Sequence, residues 1–291
     1  MRTRLGVAGW PVAHSRSPVM QNAALEQIGL GGSWHYQLLP LPPRIFKESV
    51  LGLAASGFRG INVTVPHKTA ALALATHPSA RATAIGAANT LIFEEDGTIT
   101  ADNTDGIALA RALTATFGGS TDFDRSEREA LVLGAGGSSR AAIWALINIG
   151  VGTISVWNRT ASRAVELCEE LASLPHLHDF GGAKRPHLRP LSGTLDPDLK
   201  AQVIVNCTTV GLHAADSLDE LPVSEELLAG AEVIADYTYN PDSTVLAQAA
   251  ARLGVAFIDG LELLVLQGAE SFTLFTGHPA PVTVMRAALH D

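Results

Sequence analysis

The chain alternates short runs of apolar or β-branched residues with longer segments of helical period. This alternation predicts α/β units, in which most strands are parallel and are joined through helices. Eight strands are expected, at residues 5–8, 34–38, 60–65, 130–133, 153–157, 202–205, 232–236 and 256–258. The sequence therefore predicts an α/β fold with mostly parallel sheets.

Two local signals refine this arrangement. Ser17 is a suitable N-cap and Pro18 suits the first helical position, so a helix is expected to run from there towards Gly29. Asp96 and Gly97 lie between the apolar runs 91–93 and 98–100, which predicts one antiparallel hairpin in the first half.

The length of 291 residues favours two domains. The polar, glycine-containing segment 114–129 precedes a fresh strand, as a domain entrance would. A second loose segment, 174–190, contains His176, His178 and His187. Their spacing fits no ligand pattern, so we interpret it as a solvated surface loop and expect no metal site.

The charge balance limits the kinds of partner. With 20 Lys and Arg against 29 Asp and Glu, the formal net charge is −9, and no basic patch stands out. This surface disfavours nucleic acid and anionic membranes. No apolar stretch approaches the roughly 18 residues of a membrane span, and the first residues lack a signal-peptide pattern, so we expect a cytoplasmic protein. Apolar content does not separate a monomer from a homodimer, and self-association is left open.

The two cysteines, Cys168 and Cys207, are too few for a disulfide framework and form no metal-ligand pair. We expect both to be small buried hydrophobes.

A glycine turn at residues 134–137 separates an apolar strand from an apolar helix. This context is typical of dinucleotide binding: Gly134 permits the sharp turn, Gly136 lets the backbone approach a pyrophosphate, and the helix amides face its charge. Ser139 stands where the third glycine is usual, and Ser138 and Ser139 offer hydroxyls to the diphosphate. The alternative is a glycine turn that binds nothing.

The end of the next strand normally carries an acid that binds the ribose hydroxyls of NAD. Here Asn158, Arg159 and Thr160 follow the strand, and no acid is present. An arginine fork grips a 2′-phosphate that a carboxylate would repel, so NADP is preferred to NAD. Arg163, one helical turn later, is either a second contact or an ordinary exposed residue.

The first half carries candidate reacting groups. Ser15 and Ser17 lie two apart between a strand and a helix, and in extended backbone both hydroxyls would converge on one anion. Lys68, one of only four lysines, follows Asn62 and Thr64 at the mouth of a sheet. Asp105 is a candidate partner that would hold the ammonium during proton exchange.

Less specific interpretations stand beside these. Ser17 would serve as a plain N-cap with Ser15 exposed, Lys68 as a surface lysine, and Asp102 and Asp105 as turn or cap residues.

The chain resembles the shikimate dehydrogenase family. The matching motifs run in order along nearly the whole chain: the Ser15/Ser17 segment, Asn-Val-Thr-x-Pro-x-Lys at 62–68, Ile-Gly-Ala-x-Asn-Thr at 85–90, Asp-Asn-Thr-Asp-Gly at 102–106, Gly-Ala-Gly-Gly at 134–137, Asn-Arg-Thr at 158–160, Asn206 to Thr208 with Gly211, Asp236 through Tyr239 to Pro241 and Thr244, and Gln267. Departures from the family pattern occur at Gln21, Cys207, Glu262 and Leu263.

The resemblance implies reversible NADPH-linked reduction of 3-dehydroshikimate to shikimate, in aromatic amino acid biosynthesis. It implies that Ser15 and Ser17 bind the substrate carboxylate with Tyr239 nearby, and that Lys68 and Asp105 form the catalytic pair. The ring hydroxyls would be held by Thr64, Asn89, Asp105 and Gln267. The implied cofactor residues are Gly134, Ala135, Gly136, Gly137, Ser138, Asn158, Arg159, Thr160, Arg163, Thr208, Tyr237 and Gly260.

The resemblance also implies a substrate domain at residues 1–107 and 268–291 and a Rossmann domain at 108–267, with a cleft between them. The nearest alternative is a quinate or dual quinate/shikimate dehydrogenase. More distant alternatives are a catalytically silent NADPH-binding sensor and a folate-linked dehydrogenase.

Overall fold

In the computed structural model, residues 2–118, 127–174, 186–196, 198–213, 215–240 and 243–290 are described. The chain divides into two compact units, one of Met1–Thr104 with Leu264–Asp291 and the other of Asp105–Leu263. Two helices carry the chain across this division: α5 (Thr104–Thr116) and α10 (Gly260–Thr276). The expected linker, residues 114–129, overlaps the end of α5 at residues 114–116, and its central residues 119–126 lie outside the described residues.

The first unit is an α/β sheet with one antiparallel excursion. Its other elements are β1 (Thr3–Gly9), α1 (Ser17–Gln27), β2 (Trp34–Pro40), α2 (Phe46–Leu53), β3 (Phe58–Val63), α3 (Lys68–Ala73), β4 (His77–Pro78), α4 (Ala80–Ile85), β5 (Thr90–Phe93), β6 (Ile99–Asp102) and α11 (Val282–Ala287). The strand order is β2-β1-β3-β5-β6-β4. Strands β1, β2 and β3 are parallel, whereas β5 is antiparallel to β3 and β6, so the predicted hairpin is confirmed.

The second unit is a fully parallel sheet with helices between its strands. It contains β7 (Glu129–Leu133), α6 (Gly137–Asn148), β8 (Thr153–Trp157), α7 (Ala161–Ser173), β9 (His187–Leu191), β10 (Val203–Asn206), α8 (Glu225–Ala229), β11 (Val233–Asp236), α9 (Val245–Leu253) and β12 (Ala256–Ile258). The order β12-β11-β10-β7-β8-β9 is that of a doubly wound dinucleotide-binding sheet.

The sequence patterns explain these elements. Strands β7, β10 and β11 are apolar almost throughout because helices cover both faces of a parallel sheet. On α7, Ala164, Leu167, Cys168 and Leu171 are buried, the spacing of one helical face. The predicted α/β class with mostly parallel sheets is confirmed.

Two expectations are wrong in detail. Residues 187–190 were expected in a surface loop, but they belong to the edge strand β9, which pairs in parallel with β8; residues 175–185 of that segment lie outside the described residues. Helix α1 begins at Ser17 with Arg16 as its N-cap residue, so Ser17 is the first helical residue and not the cap.

Candidate active site

The carboxyl ends of β1 and β3 bring two predicted substrate segments side by side in the first unit. The two strands pair in parallel, and the Thr64 amide donates to the Ala8 carbonyl oxygen at 2.8 Å. A Cβ on Gly9 would collide with the Thr64 methyl group, so the backbone after β1 lies directly against Thr64. Loops at this edge of a parallel sheet are the usual place for a ligand.

The loop that carries Ser15 and Ser17, called the serine loop below, follows β1 at this edge. Ser17 is buried and Ser15 is half-buried. The expected extended backbone is wrong, because Arg16 has the helical angles φ −85° and ψ −2°. The two serines are linked instead by the Ser17 amide, which donates to Ser15 Oγ at 3.3 Å. The loop thus holds the serines together through a turn.

Lys68 opens α3 just after β3 and is only 8% exposed. The surface-lysine interpretation is therefore wrong, and lysine is seldom buried without a functional or structural partner. Its carbonyl oxygen accepts from the Ala88 amide at 2.9 Å, which places Asn89 in the adjacent loop. The preceding His67 stacks on Phe46 with ring centroids 4.1 Å apart, and this packing supports the start of α3.

Asn89 is the centre of a buried polar cluster and is 2% exposed. Its Oδ1 accepts from the Thr104 amide at 2.8 Å, and its Nδ2 donates to Thr104 Oγ1 at 2.9 Å and to Gln267 Oε1 at 3.3 Å. The structure therefore brings together Asn89 and Gln267, two predicted substrate residues 178 positions apart.

The sequence placed Asn62 at the mouth of the sheet but did not predict the hydrogen bonds through which it supports Asn89. Tyr36 Oη donates to Asn62 Oδ1 at 2.8 Å, while Asn62 Nδ2 donates to Thr90 Oγ1 at 3.2 Å and to the Asn89 carbonyl at 3.3 Å. Asn62 thus supports the Asn89 loop from inside the sheet. An asparagine in an otherwise apolar strand was the available signal.

The departures at Gln21 and Leu263 are interior positions. Gln21 is fully buried and its Nε2 donates to the Gly268 carbonyl at 3.0 Å, and Leu263 is 2% exposed. Asp102 forms a bidentate pair with Arg81, at 2.6 and 3.0 Å, and accepts from Ser79 Oγ. The turn-or-cap interpretation of Asp102 is wrong, because Asp102 is the last residue of β6 and its carboxylate forms a long-range ion pair.

Asp105 and Tyr239 belong to the second unit. Asp105 lies in the first turn of α5 and is 6% exposed. Its carbonyl oxygen is 3.5 Å from Tyr237 Oη, which donates to it. The pKa of the Tyr237 phenol is raised well above its usual range by desolvation and by the nearby Cys207 and Asp105 side chains, so Tyr237 stays a protonated donor. Tyr239 is half-buried in the loop after β11, and the pairing of Asp105 with Lys68 stays a prediction.

The glycine turn is sharp at Gly134 and open at Gly136. Gly134 has φ +107°, and a Cβ there would lie 3.0 Å from the Cys207 carbonyl oxygen. A Cβ on Gly136 would meet no atom within 4 Å, so open space lies in front of the turn. Half-buried Ala135 completes the turn, and Gly137 and Ser138 begin α6.

Ser139 does not face this space. It is fully buried, and its Oγ accepts from the Gly136 amide at 3.2 Å. The expectation that its hydroxyl contacts the diphosphate is wrong, because the hydroxyl braces the turn from within.

The end of β8 lies beside the glycine turn, since the Gly134 amide donates to the Trp157 carbonyl at 2.7 Å. Asn158 Nδ2 donates to the Thr160 carbonyl at 2.9 Å, which closes the loop that leads into α7. Arg159, Thr160 and Arg163 are exposed there. Residues 158–163 thus include two exposed arginines and no acidic residue.

The ends of β10 and β11 carry the remaining cofactor candidates. Thr208 donates from its amide and hydroxyl to Asn206 Oδ1, at 3.0 and 2.7 Å. Gly260 is buried, and a Cβ there would collide with the Thr238 carbonyl oxygen. The buried Asn206 and Asp236 beneath them were given no role from the sequence, although each is a polar residue ending an apolar strand.

Both cysteines are free thiols. Cys168 is buried as expected, and burial raises its pKa to about 11, whereas Cys207 is only half-buried, so that expectation is wrong. Within the described ranges no three His, Cys, Asp or Glu side chains group as metal ligands, and no helix has the length and apolarity for a membrane span.

Comparisons with known proteins cover both units. Family models match residues 7–91 (shikimate dehydrogenase substrate binding domain), 119–180 (shikimate / quinate 5-dehydrogenase) and 260–290 (shikimate 5′-dehydrogenase C-terminal domain). The shikimate dehydrogenase (NADP(+)) of Rubrobacter xylanophilus is 39% identical over 286 residues, which is 98% of this chain and 94% of that protein.

Solved structures of related dehydrogenases are similar to this chain over nearly its full length. The crystal structure of shikimate 5-dehydrogenase from Thermus thermophilus in complex with NADP(H) and shikimate has a TM-score of 0.78 and 34% identity, covering 99% of this chain and 98% of that one. The quinate dehydrogenase from Corynebacterium glutamicum in complex with NAD has a TM-score of 0.83 and 27% identity, with 99% of both chains covered. A relative at 39% identity over nearly the full length shows that the chain belongs to the shikimate dehydrogenase family.

Proposed function

We propose that this protein catalyses the reversible NADPH-dependent reduction of 3-dehydroshikimate to shikimate, the reaction of an oxidoreductase acting on a CH–OH group in aromatic amino acid biosynthesis. The observation that carries the proposal is the buried Lys68, whose carbonyl oxygen accepts from the Ala88 amide next to the Asn89 cluster. A cationic side chain at the ligand edge of a sheet suits a reaction in which negative charge develops on an oxygen.

Lys68 has the acid–base role. The bound nicotinamide supplies the hydride, so this chain has to orient the substrate and manage one proton. The Lys68 ammonium stabilises the developing alkoxide and donates a proton to that oxygen, and in the reverse direction Lys68 accepts the proton of the substrate hydroxyl. Asp105 is proposed as the carboxylate that orients this ammonium.

The substrate contacts follow from the chemistry of the side chains. Ser15 and Ser17 are proposed to donate to the substrate carboxylate, with the Tyr239 hydroxyl nearby. Thr64, Asn89, Asp105 and Gln267 are proposed to bind the ring hydroxyls. The Asn89 cluster supports this proposal, because its buried hydrogen bonds hold the amide in one orientation before substrate arrives.

The second unit fits NADP. The open space before Gly136 supports placing the pyrophosphate there, and the exposed Arg159 and Arg163 support binding of a 2′-phosphate. Residues 134–138, 158–160, 163, 208, 237 and 260 are therefore proposed to hold the cofactor. The first unit is proposed as the substrate domain and the second as the cofactor domain.

Turnover on two acids with two cofactors tests the reaction. We expect kcat/KM to be highest for shikimate with NADP+, and lower for quinate or for NAD+. The absence of an acid after β8 favours this order over the quinate alternative, whose structural relative was solved with NAD. A higher kcat/KM for quinate would overturn the substrate assignment, and cofactor binding without oxidation of either acid would point to the silent sensor.

Arg159→Ala tests the cofactor preference. We expect kcat/KM for NADP+ to fall by about 10–100-fold, because a charge-assisted hydrogen bond to phosphate contributes about 1.5–3 kcal/mol. The value for NAD+ should change less than about threefold, since NAD+ lacks the 2′-phosphate. Steady-state kinetics with both cofactors measures the ratio, and Arg252→Ala, an arginine paired with Glu225 on the same unit, is the control. Equal losses with both cofactors would refute the assignment.

The cellular location of the protein and its oligomeric state do not follow from the reaction. A cytoplasmic location and a homodimer stay predictions, and size-exclusion chromatography with light scattering would measure the second.

A further inference from the structure

Asp236 is a buried carboxylate to which the proposed reaction gives no part. It ends the apolar strand β11 and has no exposed surface. An unpaired buried carboxylate is strongly unfavourable, so hydrogen-bond donors must surround this one. Oδ1 accepts from Asn206 Nδ2 at 2.9 Å, from the Thr238 amide at 2.9 Å and from Thr238 Oγ1 at 2.8 Å, and Oδ2 accepts from Thr244 Oγ1 at 2.9 Å.

These four donors come from three separate segments. Asn206 ends β10, Thr238 lies in the loop after β11, and Thr244 caps α9 by accepting from the Ala247 amide at 3.2 Å. One carboxylate therefore ties together the two loops at the carboxyl edge of the sheet and the helix that follows them.

The contacts continue to the proposed cofactor residues. Asn206 uses both amide hydrogens, towards Asp236 and the Val210 carbonyl, while its Oδ1 holds the amide and hydroxyl of Thr208. In the sequence, Tyr237 lies between Asp236, which carries the carboxylate, and Thr238, which is hydrogen-bonded to it. Gly260 packs so closely on the Thr238 carbonyl that no Cβ fits. The Asp236 carboxylate and its partners thus hold the backbone around Thr208, Tyr237 and Gly260.

The strand order indicates which half of a dinucleotide this support faces. The glycine turn follows β7 and Arg159 follows β8, on one side of the point where the strand order reverses; β10 and β11 lie on the other side. A dinucleotide binds across that point, with its 2′-phosphate ribose beside β8. The nicotinamide half would therefore lie beside the ends of β10 and β11.

We propose that Asp236 is a positioning residue, which holds the Thr208 and Tyr237 loops in the arrangement that receives the nicotinamide half of NADP. This inference rests on the proposed cofactor assignment and deepens it. Asp236 touches neither substrate nor cofactor, and acts through Asn206 and Thr238.

The experiment compares two ligands on the full-length protein. NADP+ spans both halves of the site, whereas adenosine 2′,5′-bisphosphate reaches only the glycine turn and Arg159. Calorimetric titration of the variants Asp236→Asn and Thr238→Val should show Kd for NADP+ raised at least fivefold, with Kd for the bisphosphate changed less than twofold. Thr238→Val removes one hydroxyl donor at nearly constant volume, so a failure of Asp236→Asn to fold leaves a second variant.

Two controls separate positioning from loss of stability. Thr238→Ser keeps the donor to Asp236 and should restore NADP+ affinity to within twofold of the unmodified protein. Ser224→Ala removes the N-cap bond to the Leu227 amide of α8 in the same unit, and should lower the melting temperature without changing either Kd.

Unchanged affinity for NADP+ in both variants would overturn the proposal. Equal weakening of both ligands would also overturn it, because Asp236 would then support the unit in general. Failure of the proposed reaction has a different signature: the unmodified protein would bind NADP+ and leave shikimate unoxidised, while the two titrations would still decide the role of Asp236.

Discussion

Replacing Lys68 with alanine is expected to lower kcat for shikimate oxidation by about 10²–10⁴-fold, the usual contribution of a positioned acid–base group. We expect the loss in kcat and not in substrate binding, because the attraction between the Lys68 ammonium and the substrate oxygen is strongest when negative charge develops on that oxygen in the transition state. Kd for NADP+ should change less than about twofold, since Lys68 belongs to the unit that lacks the glycine turn. Stopped-flow measurement of NADPH formation and separate titration of NADP+ give the two quantities.

Lys47→Ala is the matched control. Lys47 is an exposed lysine on α2 of the same unit, and its removal should leave kcat within about twofold. Circular dichroism of both variants checks that the fold is retained. Near-normal turnover by a folded Lys68→Ala protein would refute the assignment of Lys68 as the acid–base residue.

The second large effect is the dependence of stability on pH that Asp236 introduces. Burial raises the pKa of this carboxyl from 3.8 to about 6, against the lowering effect of its hydrogen bonds from Thr238, Thr244 and Asn206. Between these values the folded state keeps a proton that the unfolded state has lost. The free energy of unfolding therefore falls as the pH rises through this window, by about 3 kcal/mol in full.

Urea denaturation of the unmodified protein and of Asp236→Asn measures this term. Asparagine does not titrate, so the difference in unfolding free energy between the two proteins should favour the unmodified protein by about 1.4 kcal/mol more at pH 5 than at pH 7.5. Other titrating groups cancel in that difference. Thr238→Ser, which leaves the carboxyl in place, should show the same pH slope as the unmodified protein. A difference independent of pH would mean that Asp236 titrates at its ordinary value.

Much of the fold was predictable because the signals are local. Strands β8 and β12 were predicted at their observed bounds, and the hairpin at Asp96 and Gly97 followed from turn chemistry. The missed strands have weak local signals. Strand β4 has two residues, and β9 contains Pro190 and alternates poorly, so it is a strand only because β8 offers an open edge.

The candidate site was predictable in its residue types and less so in its arrangement. Lys68 and Asn89 were expected to have functional roles, but their burial followed only from the packed sheet. Ser139 reads as a phosphate donor in sequence, and only the folded turn shows that its hydroxyl accepts from Gly136. Asp236 ends an apolar strand, and Thr238 is a local partner for its carboxylate, but the donors from Asn206 and Thr244 come from other segments that only the fold brings close.

The sequence by itself determined the α/β class, the glycine turn and the lack of an acid after β8, because backbone periodicity and turn chemistry act over a few neighbouring residues. The tertiary structure decided which polar side chains share an interior. Asn62 meets Ser271 across 209 positions and Asn89 meets Gln267 across 178. Such pairs depend on the packing of distant elements and on the need to give every buried polar group a hydrogen-bond partner. Neither requirement produces a repeating pattern in the sequence.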